Sequence, residues 1–427
     1  MMDYAAARAV LDRLPRLEVK PGLSRTNRLL DALGHPEGAF PAVHVAGTNG
    51  KGSVVAMLDA VLRRAGHRVG RFTSPELIDF RDRIAIDGAW LSEAEWADGI
   101  ARMEAELVDS SDPPTQFEAT AALAFDAFSR YAVDVALVEV GLGGRFDATN
   151  VVRPLVSILC NVSLDHTAVL GESIEQIAWE KAGIAKPGVP LLFGDLPEEA
   201  AAVVLAECAE VGAVPLPAAG IEVERTRVDW EAATYRVARP GLPDSLGLGL
   251  LGGYQLGNLR LVLGAIERLR DRGFDVPEAA VAEGLRAVRW PGRFEVARRR
   301  PNVVLEGAHN VAGAEWLVVD IETFVPDRNR RQLVLGVLAD KDAEGIGRAL
   351  AAAFDRAALC ASESPRALPV DRLREAVGGL FLQSTWYDSV VGAMEEVVPA
   401  LDGEDTLMVA GSLTVVAEAR RWLEEVR

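Results

Sequence analysis

This sequence has few cysteines, no net positive charge and no long apolar run. Its 427 residues include three cysteines, Cys160, Cys208 and Cys360, whose spacing fits no metal site and favours buried thiols in a reducing compartment. The formal net charge of −18 disfavours a general binder of nucleic acid or of anionic membranes. There is no apolar run of about 18 residues, the minimum for a transmembrane helix. We therefore predict a cytoplasmic protein without nucleic-acid or membrane partners.

The composition that remains is typical of a globular enzyme, with 49% hydrophobic and 25% charged residues. The length exceeds what one ordinary core supports and predicts at least two domains. Apolar runs alternate with helical patterns in the first half of the chain. The predicted strands are 42–46, 68–73, 134–140, 155–161 and 190–194. The predicted helices lie near 53–65, 92–108, 116–131, 173–186 and 197–211. This alternation predicts an α/β fold whose largely parallel sheet is covered on both faces.

The second half of the chain changes character twice. Residues 221–251 alternate Val, Thr and Tyr and predict a small antiparallel patch, followed by helices near 255–271 and 277–288. After the helix-breaking segment Trp290-Pro291-Gly292-Arg293, a second strand–helix alternation begins. Its predicted strands are 302–306, 332–337, 356–361, 380–386 and 405–410, with a last helix at 412–426. We place the domain boundary at about residue 295, giving an ATPase-like domain at 1–295 and a smaller Rossmann-like α/β domain at 296–427.

A glycine-rich loop stands between the first predicted strand and its helix. It reads Gly47-Thr48-Asn49-Gly50-Lys51-Gly52-Ser53. Glycines let backbone N–H groups approach phosphate oxygens, the helix N-terminus favours negative charge, and Lys51 adds a cation. The spacing departs from the common P-loop form, because the first Gly is missing and Gly52 precedes the hydroxyl residue. We interpret the loop as a nucleoside triphosphate site in which Ser53 holds Mg²⁺.

Two further polar groups follow buried strands of the same predicted sheet. Glu139 ends one strand, where nucleotide-bound Mg²⁺ needs an oxygen ligand, although an ion pair with Arg145 is the alternative. His166 follows the next strand and is a candidate metal ligand or general base. His44, inside the first strand, reads instead as a core histidine.

Ordered motifs along the chain resemble one enzyme family. They are Gly47 to Ser53, Thr73-Ser74-Pro75, Phe117 to Thr120, Glu139 to Asn150, Ser163 to Gly171, Glu180 to Ile184, Trp290 to Glu295, Glu306 to Asn310, Asp340 to Asp342 and Gly411 to Leu413. From about residue 20 to its last residues the chain is similar to folylpolyglutamate synthase/dihydrofolate synthase, a family of the Mur ligase superfamily. The resemblance implies that ATP phosphorylates a folate or dihydropteroate carboxylate and that the amino group of L-glutamate attacks the acyl phosphate.

The resemblance also implies roles for individual residues. Lys51 and the loop would hold ATP, with Asn258, Arg293, Glu306 and His309 near the nucleotide. Ser53, Glu139 and His166 would hold two Mg²⁺ ions. Lys181, whose context alone is typical of a solvent-exposed lysine, would be carbamylated and catalytic. The predicted substrate contacts are Thr73, Ser74, Glu76, Phe117, Glu118, Asn310 and Ser412.

Three positions depart from the family pattern. Glu76 stands where the family commonly has His, Tyr254 where it has His, and Glu306 where it has Asp. Glu76 lies in a loop associated with the pterin-bearing substrate, where a carboxylate either pairs with ring N–H groups or repels an anionic tail. The resemblance leaves open whether the enzyme makes dihydrofolate, extends polyglutamate or does both, and it suggests a monomer. Another amino-acid ligase of the superfamily and a P-loop switch are the alternatives.

Overall fold

The computed structural model describes residues 2–15, 22–108 and 111–426. Its α-helices are α1 (Tyr4–Arg13), α2 (Ser24–Leu33), α3 (Lys51–Arg64), α4 (Glu93–Arg102), α5 (Glu104–Val108), α6 (Gln116–Arg130), α7 (Thr167–Leu170), α8 (Ile174–Ala182), α9 (Glu198–Val211), α10 (Gln255–Asp271), α11 (Glu278–Ala287), α12 (Val311–Phe324), α13 (Ala343–Ala351), α14 (Val370–Val377), α15 (Val390–Val397) and α16 (Leu413–Glu425). Its strands are β1 (Ala42–Ala46), β2 (Val69–Phe72), β3 (Ile84–Ile86), β4 (Ala89–Trp90), β5 (Val135–Glu139), β6 (Pro154–Leu159), β7 (Pro190–Phe193), β8 (Val214–Pro217), β9 (Val223–Val228), β10 (Ala233–Val237), β11 (Ser245–Leu248), β12 (Glu295–Arg298), β13 (Asn302–Leu305), β14 (Arg331–Leu335), β15 (Arg356–Cys360), β16 (Gln383–Tyr387) and β17 (Thr406–Ala410). None of the helices among these residues is long and apolar enough to cross a membrane.

An eight-stranded sheet forms the core of the first half of the chain, in the order β4-β3-β2-β5-β1-β6-β7-β8. Strands β2, β5, β1, β6, β7 and β8 pair in parallel in that order. Strands β3 and β4 add an antiparallel edge beside β2. Every residue of β1 and β5 is buried, as expected for central strands covered on both faces. The carboxyl ends of β1, β2, β5 and β6 therefore lie at one edge, which is where α/β folds bind ligands.

A second, six-stranded sheet has the order β12-β13-β17-β14-β15-β16. Neighbouring strands in this sheet pair in parallel, except that β12 pairs antiparallel with β13. The small third sheet has the order β11-β10-β9, and the turn from Asp229 to Ala232 between β9 and β10 is short enough only for antiparallel neighbours. The α/β prediction with parallel sheets is confirmed.

The chain divides into two compact units. The first runs to Glu224 and includes Arg236–Leu246 and Leu256–Val288. The second consists of Arg225–Tyr235, Gly247–Gln255 and the chain from Arg289 onward. The two earlier segments of the second unit were not predicted from the sequence, and the boundary at residue 295 stays a prediction.

Three predicted elements differ in extent from the structure. The helix predicted at 92–108 is interrupted at Met103, which leaves helical geometry at φ −108° and ψ 9°, and continues as α5. The helix predicted at 173–186 ends at Ala182. The strand predicted at 380–386 begins at Gln383, after a 3₁₀ turn at Gly378–Leu380. The β3–β4 hairpin was missed, although its turn residues Asp87 and Gly88 have φ of 51° and 81° and Asp-Gly is a hairpin signal.

Candidate active site

The glycine-rich loop leaves β1 and enters α3 through backbone conformations that favour glycine. Gly47 has a φ of 148°, and Gly50, at the N-cap of α3, has a φ of 90°. A Cβ on Gly50 would stand 2.4 Å from Asn258 Oδ1, so only glycine fits beside that amide. Asn258 therefore lies against the loop. The N-terminus of α3 follows directly on this loop, and a helix N-terminus favours an anion.

Lys51 and Asn161 hold the loop in shape. The Lys51 ammonium donates to the carbonyl oxygens of Gly47 at 2.9 Å and Thr48 at 3.2 Å. Asn161, which follows β6, accepts from the Asn49 N–H through Oδ1 at 2.9 Å and donates to the Asn49 carbonyl at 3.1 Å. Sequence reasoning missed Asn161, and its position just after a buried strand at the ligand-binding edge was the signal for it.

Ser53 and Glu139 bring a hydroxyl and a carboxylate into the buried part of the same edge. Ser53 is fully buried on α3, and Glu139 is 4% exposed at the end of β5. Glu139 Oε2 accepts a long hydrogen bond from the Ser74 N–H, at 3.4 Å. Arg145 pairs with Glu207 at 2.7 Å, so the alternative that Arg145 neutralises Glu139 is wrong.

Lys181 is buried on α8, with 4% of its surface exposed, so the interpretation as a solvent-exposed lysine is wrong. Burial, together with the nearby Lys51 cation and against the opposing effect of Asp165, lowers its pKa from 10.5 to about 7. Burial also raises the pKa of the neighbouring Cys160 thiol to about 12, which keeps that group uncharged. At neutral pH a large fraction of Lys181 is therefore a free amine.

His166 and His44 occupy contrasting environments. His166 has a φ of 51° and precedes α7; its side chain is 36% exposed and its Nε2 lies 4.0 Å from Asp165 Oδ2. His44 is fully buried, and its Nε2 lies 2.8 Å from Thr149 Oγ1. Burial lowers the His44 pKa to about 3, so the ring is neutral, and the prediction of a core histidine is confirmed.

The predicted substrate residues of the first unit are engaged within the protein. The Glu76 carboxylate pairs with Arg83. Glu118 closes a capping box with Thr115 at the start of α6 and binds the buried Arg25, with Nε–oxygen distances of 3.1 and 3.2 Å. The ring of Phe117 packs against Phe72 with centroids 5.6 Å apart. Thr73 is buried beside Ser74 at the end of β2.

In the second unit, two of the departures from the family pattern bond to each other. Glu306 Oε2 accepts from the Tyr254 hydroxyl at 2.9 Å and from the Phe294 N–H at 2.7 Å. Burial raises the pKa of Glu306, and the nearby Arg293 opposes that shift. His309 Nδ1 lies 2.9 Å from the Gly307 carbonyl oxygen.

The other predicted residues of the second unit are helix caps. Asn310 accepts from the Gly313 N–H at 2.9 Å at the start of α12, and Ser412 accepts from the Val415 N–H at 3.2 Å at the start of α16. Both caps place a polar side chain at a helix N-terminus, which favours negative charge.

The donor set in the first unit suits a nucleotide-bound metal. Within the described residues, no three His, Cys, Asp or Glu side chains form a group that would hold a metal ion by themselves. Mg²⁺ is normally held by one or two protein oxygens together with substrate phosphates and water. Ser53 and Glu139, next to the phosphate loop, fit that pattern.

Comparison with known proteins identifies the family. Residues 292–413 match the Mur ligase, glutamate ligase domain. The dihydrofolate synthase/folylpolyglutamate synthase of Bacillus subtilis is 33% identical over 431 residues, covering 99% of this chain and 99% of that protein. The chain spans 50% of the length of the probable bifunctional folylpolyglutamate synthase/dihydropteroate synthase of Haloferax volcanii, to which it is 36% identical over 98% of its own residues.

Solved structures agree with the sequence comparisons. The E. coli FolC structure in complex with DHPP and ADP has a TM-score of 0.89 at 31% identity, covering 100% of this chain and 98% of that one. The Mycobacterium tuberculosis folylpolyglutamate synthase complexed with ADP and AMPPCP has a TM-score of 0.89 at 33% identity, covering 99% of both chains. The resemblance inferred from the sequence motifs is thereby confirmed. Such similarity over the full length means that the chain belongs to the folylpolyglutamate synthase/dihydrofolate synthase family, the ATP-dependent glutamate ligases of the Mur ligase superfamily.

Proposed function

We propose that this protein joins L-glutamate to the carboxylate of a folate or of dihydropteroate and converts ATP to ADP and phosphate. The observation that carries the proposal is the buried Lys181 beside the phosphate loop, because a solvated surface lysine would have pointed away from this chemistry. The names of the full-length relatives favour a folate acceptor. We propose a cytoplasmic monomer.

The phosphate loop positions ATP for attack by the acceptor carboxylate. A carboxylate is a poor electrophile, and phosphorylation turns one of its oxygens into a leaving group. The transfer depends mainly on positioning and on neutralising charge. In this proposal the loop amides and Lys51 hold the β- and γ-phosphates, and Lys51 exchanges its contacts with the loop carbonyls for phosphate oxygens.

Ser53, Glu139 and His166 are the proposed protein ligands of two Mg²⁺ ions. When bound, the metal neutralises phosphate charge and orients the transferred group. A Yersinia pestis relative complexed with AMPPNP and a Mn ion supports a divalent metal in this family. Ser53 and Glu139 supply the oxygen ligands that Mg²⁺ prefers, and Glu139 also holds the Ser74 N–H.

The electrostatic environment of Lys181 supports the proposal that this residue is carbamylated. The neutral amine attacks CO₂, forms an N–C bond and releases a proton, so a group that is cationic when protonated becomes an anion. Its repulsion from the nearby Lys51 cation then becomes attraction, and the two new oxygens suit a hard cation. Lys181→Ala should therefore be nearly inactive with its fold intact, and millimolar acetate or formate should restore part of the activity. Full activity of the variant would refute the proposal.

We assign glutamate binding to residues 296–427, and ATP binding and phosphoryl transfer to residues 1–295. Arg293, Glu306 and His309 are the proposed nucleotide contacts from the second unit. Asn310 and Ser412, at two helix N-termini, are the proposed contacts of the glutamate carboxylates.

The test is release of ADP in the presence and absence of glutamate. The acceptors are dihydropteroate, tetrahydrofolate, methylene-tetrahydrofolate and a uridine-nucleotide-linked peptidoglycan precursor. We expect ADP release that requires both glutamate and a pterin-bearing acceptor. Activity only with the uridine nucleotide would establish another ligase of the superfamily, and ADP release without glutamate would establish a switch.

A further inference from the structure

The loop at 73–83 is held firmly beside the candidate metal ligand. The Ser74 N–H donates to Glu139 Oε2 at 3.4 Å. The Asp82 carboxylate accepts two backbone N–H groups of the same loop, at 2.9 and 2.8 Å. The loop follows β2 at the carboxyl edge of the sheet, so its side chains border the region where ligands of α/β folds bind.

Glu76 and Arg83 form an ion pair across this loop. Two guanidinium nitrogens of Arg83 contact the same carboxylate oxygen, Oε2 of Glu76, and the Nε distance is 2.7 Å. The Arg83 side chain is 11% exposed and its guanidinium lies 4.8 Å from the centroid of the Phe80 ring. The Glu76 side chain is 37% exposed. Arg83 is therefore held against the Phe80 ring, and Glu76 is the more exposed member of the pair.

This geometry gives the two carboxylate oxygens different tasks. Because both Arg83 donors use Oε2, the carboxylate is held in one orientation and Oε1 is not taken by Arg83. The pair has no net charge, so it repels an anionic molecule far less than an isolated carboxylate would. A carboxylate oxygen accepts hydrogen bonds and donates none, so its natural partner is a ring edge that carries N–H groups.

We infer that Arg83 is a positioning residue that directs Glu76 toward the N–H groups of the acceptor's ring and cancels the Glu76 charge against the acceptor's own carboxylate. This inference rests on the proposed function, because it takes the acceptor to be a pterin-bearing acid. Glu76, in place of the His that is common in the family, then binds the ring of the acceptor without repelling the acceptor's anionic tail.

The main test is Arg83→Gln, measured by glutamate-dependent ADP release. Without Arg83 the Glu76 carboxylate turns freely and repels the acceptor, so KM for the acceptor should rise about 10- to 100-fold, the range for one hydrogen bond to a charged group. KM for ATP and for glutamate should change less than threefold. The rise should be larger for a polyglutamylated acceptor than for dihydropteroate and should shrink at high salt.

The chain contains a matched control in the same loop. Arg81 forms a comparable pair with Asp79, with Nε and Nη2 each 3.0 Å from a carboxylate oxygen. Arg81→Gln removes the same side chain and the same kind of ion pair, and it should leave KM for the acceptor within about threefold of the wild type. Equal effects of the two substitutions would overturn the inference, since they would indicate a general stiffening of the loop.

Two further variants separate recognition from stability. The charge-reversed pair Glu76→Arg with Arg83→Glu restores an ion pair but presents a cation to the acceptor, so KM should stay raised; a KM restored to the wild-type value would overturn the inference. Arg83→Lys keeps the charge with fewer fixed donors and should give an intermediate KM, which keeps the test valid if Arg83→Gln fails to fold. Wild-type protein with no glutamate-dependent activity on any pterin acceptor would overturn the proposed function, and this inference with it.

Discussion

Replacing Lys181 by methionine should remove activity while making the protein more stable. The two effects have one cause, because the residue that the proposed chemistry needs is costly to bury. Methionine has a similar length and no charge, so Lys181→Met keeps most of the packing on α8 and removes only the amine. A lysine with a purely structural role would show the opposite effect on stability.

The magnitude follows from the depressed pKa. One pKa unit corresponds to about 1.4 kcal/mol, so lowering the Lys181 pKa from 10.5 to about 7 corresponds to a cost of about 5 kcal/mol for the charged form. At pH 7 the unfolded chain binds the proton and about half of the native molecules do not. Without CO₂, this effect therefore lowers the free energy of unfolding of the wild type by about 4 kcal/mol, and it is absent from Lys181→Met. Because the native state binds fewer protons between pH 7 and 10.5, wild-type stability should rise with pH across that interval. The advantage of the variant should shrink by about 1 kcal/mol between pH 7 and 8, and by close to 1.4 kcal/mol per pH unit above pH 8.

The assay is urea unfolding of both proteins at pH 7, 8 and 9 in CO₂-free buffer, repeated with bicarbonate. Bicarbonate should stabilise the wild type alone. Lys186→Met is the matched control, because the Lys186 ammonium donates to the carbonyl and side-chain oxygens of Asn150 at 2.9 and 2.8 Å, and its loss should destabilise the protein. Parallel stability profiles of wild type and Lys181→Met, or a less stable variant, would refute the reasoning.

Three other substitutions test the phosphate loop and its surroundings. Lys51→Ala should lower kcat at least ~10²-fold while the protein still folds, since the substitution removes only two hydrogen bonds within the loop; near-normal turnover would contradict this. Gly50→Ala should weaken ATP binding in calorimetry, because its Cβ would stand 2.4 Å from Asn258 Oδ1 at a φ of 90°, and wild-type affinity would argue against the close approach. Arg145→Ala should lower the free energy of unfolding by about 1–3 kcal/mol, because Arg145 stacks on Trp179 at 3.9 Å and pairs with Glu207; a loss below about 0.5 kcal/mol would show that these contacts are weak.

Local chemistry determined the parts of the molecule that sequence reasoning predicted well. The run at Ala42–Ala46 is apolar throughout, and glycines follow it, so a buried strand and a phosphate-binding turn are the conformations these residues favour. His44 has no polar neighbour within β1, which made a core position the natural reading. The helices predicted near 116–131 and 173–186 begin directly after Thr115 and Ser173, which cap them three residues before a Glu or Gln.

Only the tertiary structure decided which charges meet. The environment of Lys181 depends on Lys51 and Asp165, which are far from it in sequence, so its burial and low pKa appear in no local pattern. Asn161 holds the phosphate loop because β6 lies beside β1 in the sheet, and strand order is not encoded in either strand alone.

The pairings of individual side chains were likewise set by folding. Arg145 has Glu139 near it in sequence, yet it pairs with Glu207 on α9. The sequence alone suggests that Glu76 is an isolated charge. In the structure the loop brings Arg83 next to Glu76, and the two side chains form a neutral ion pair. The sequence determined the strands, the turns and the chemical groups, because those depend on neighbours along the chain; the sheet order and the long-range pairing of charges decided which groups are buried, neutralised or presented to a ligand.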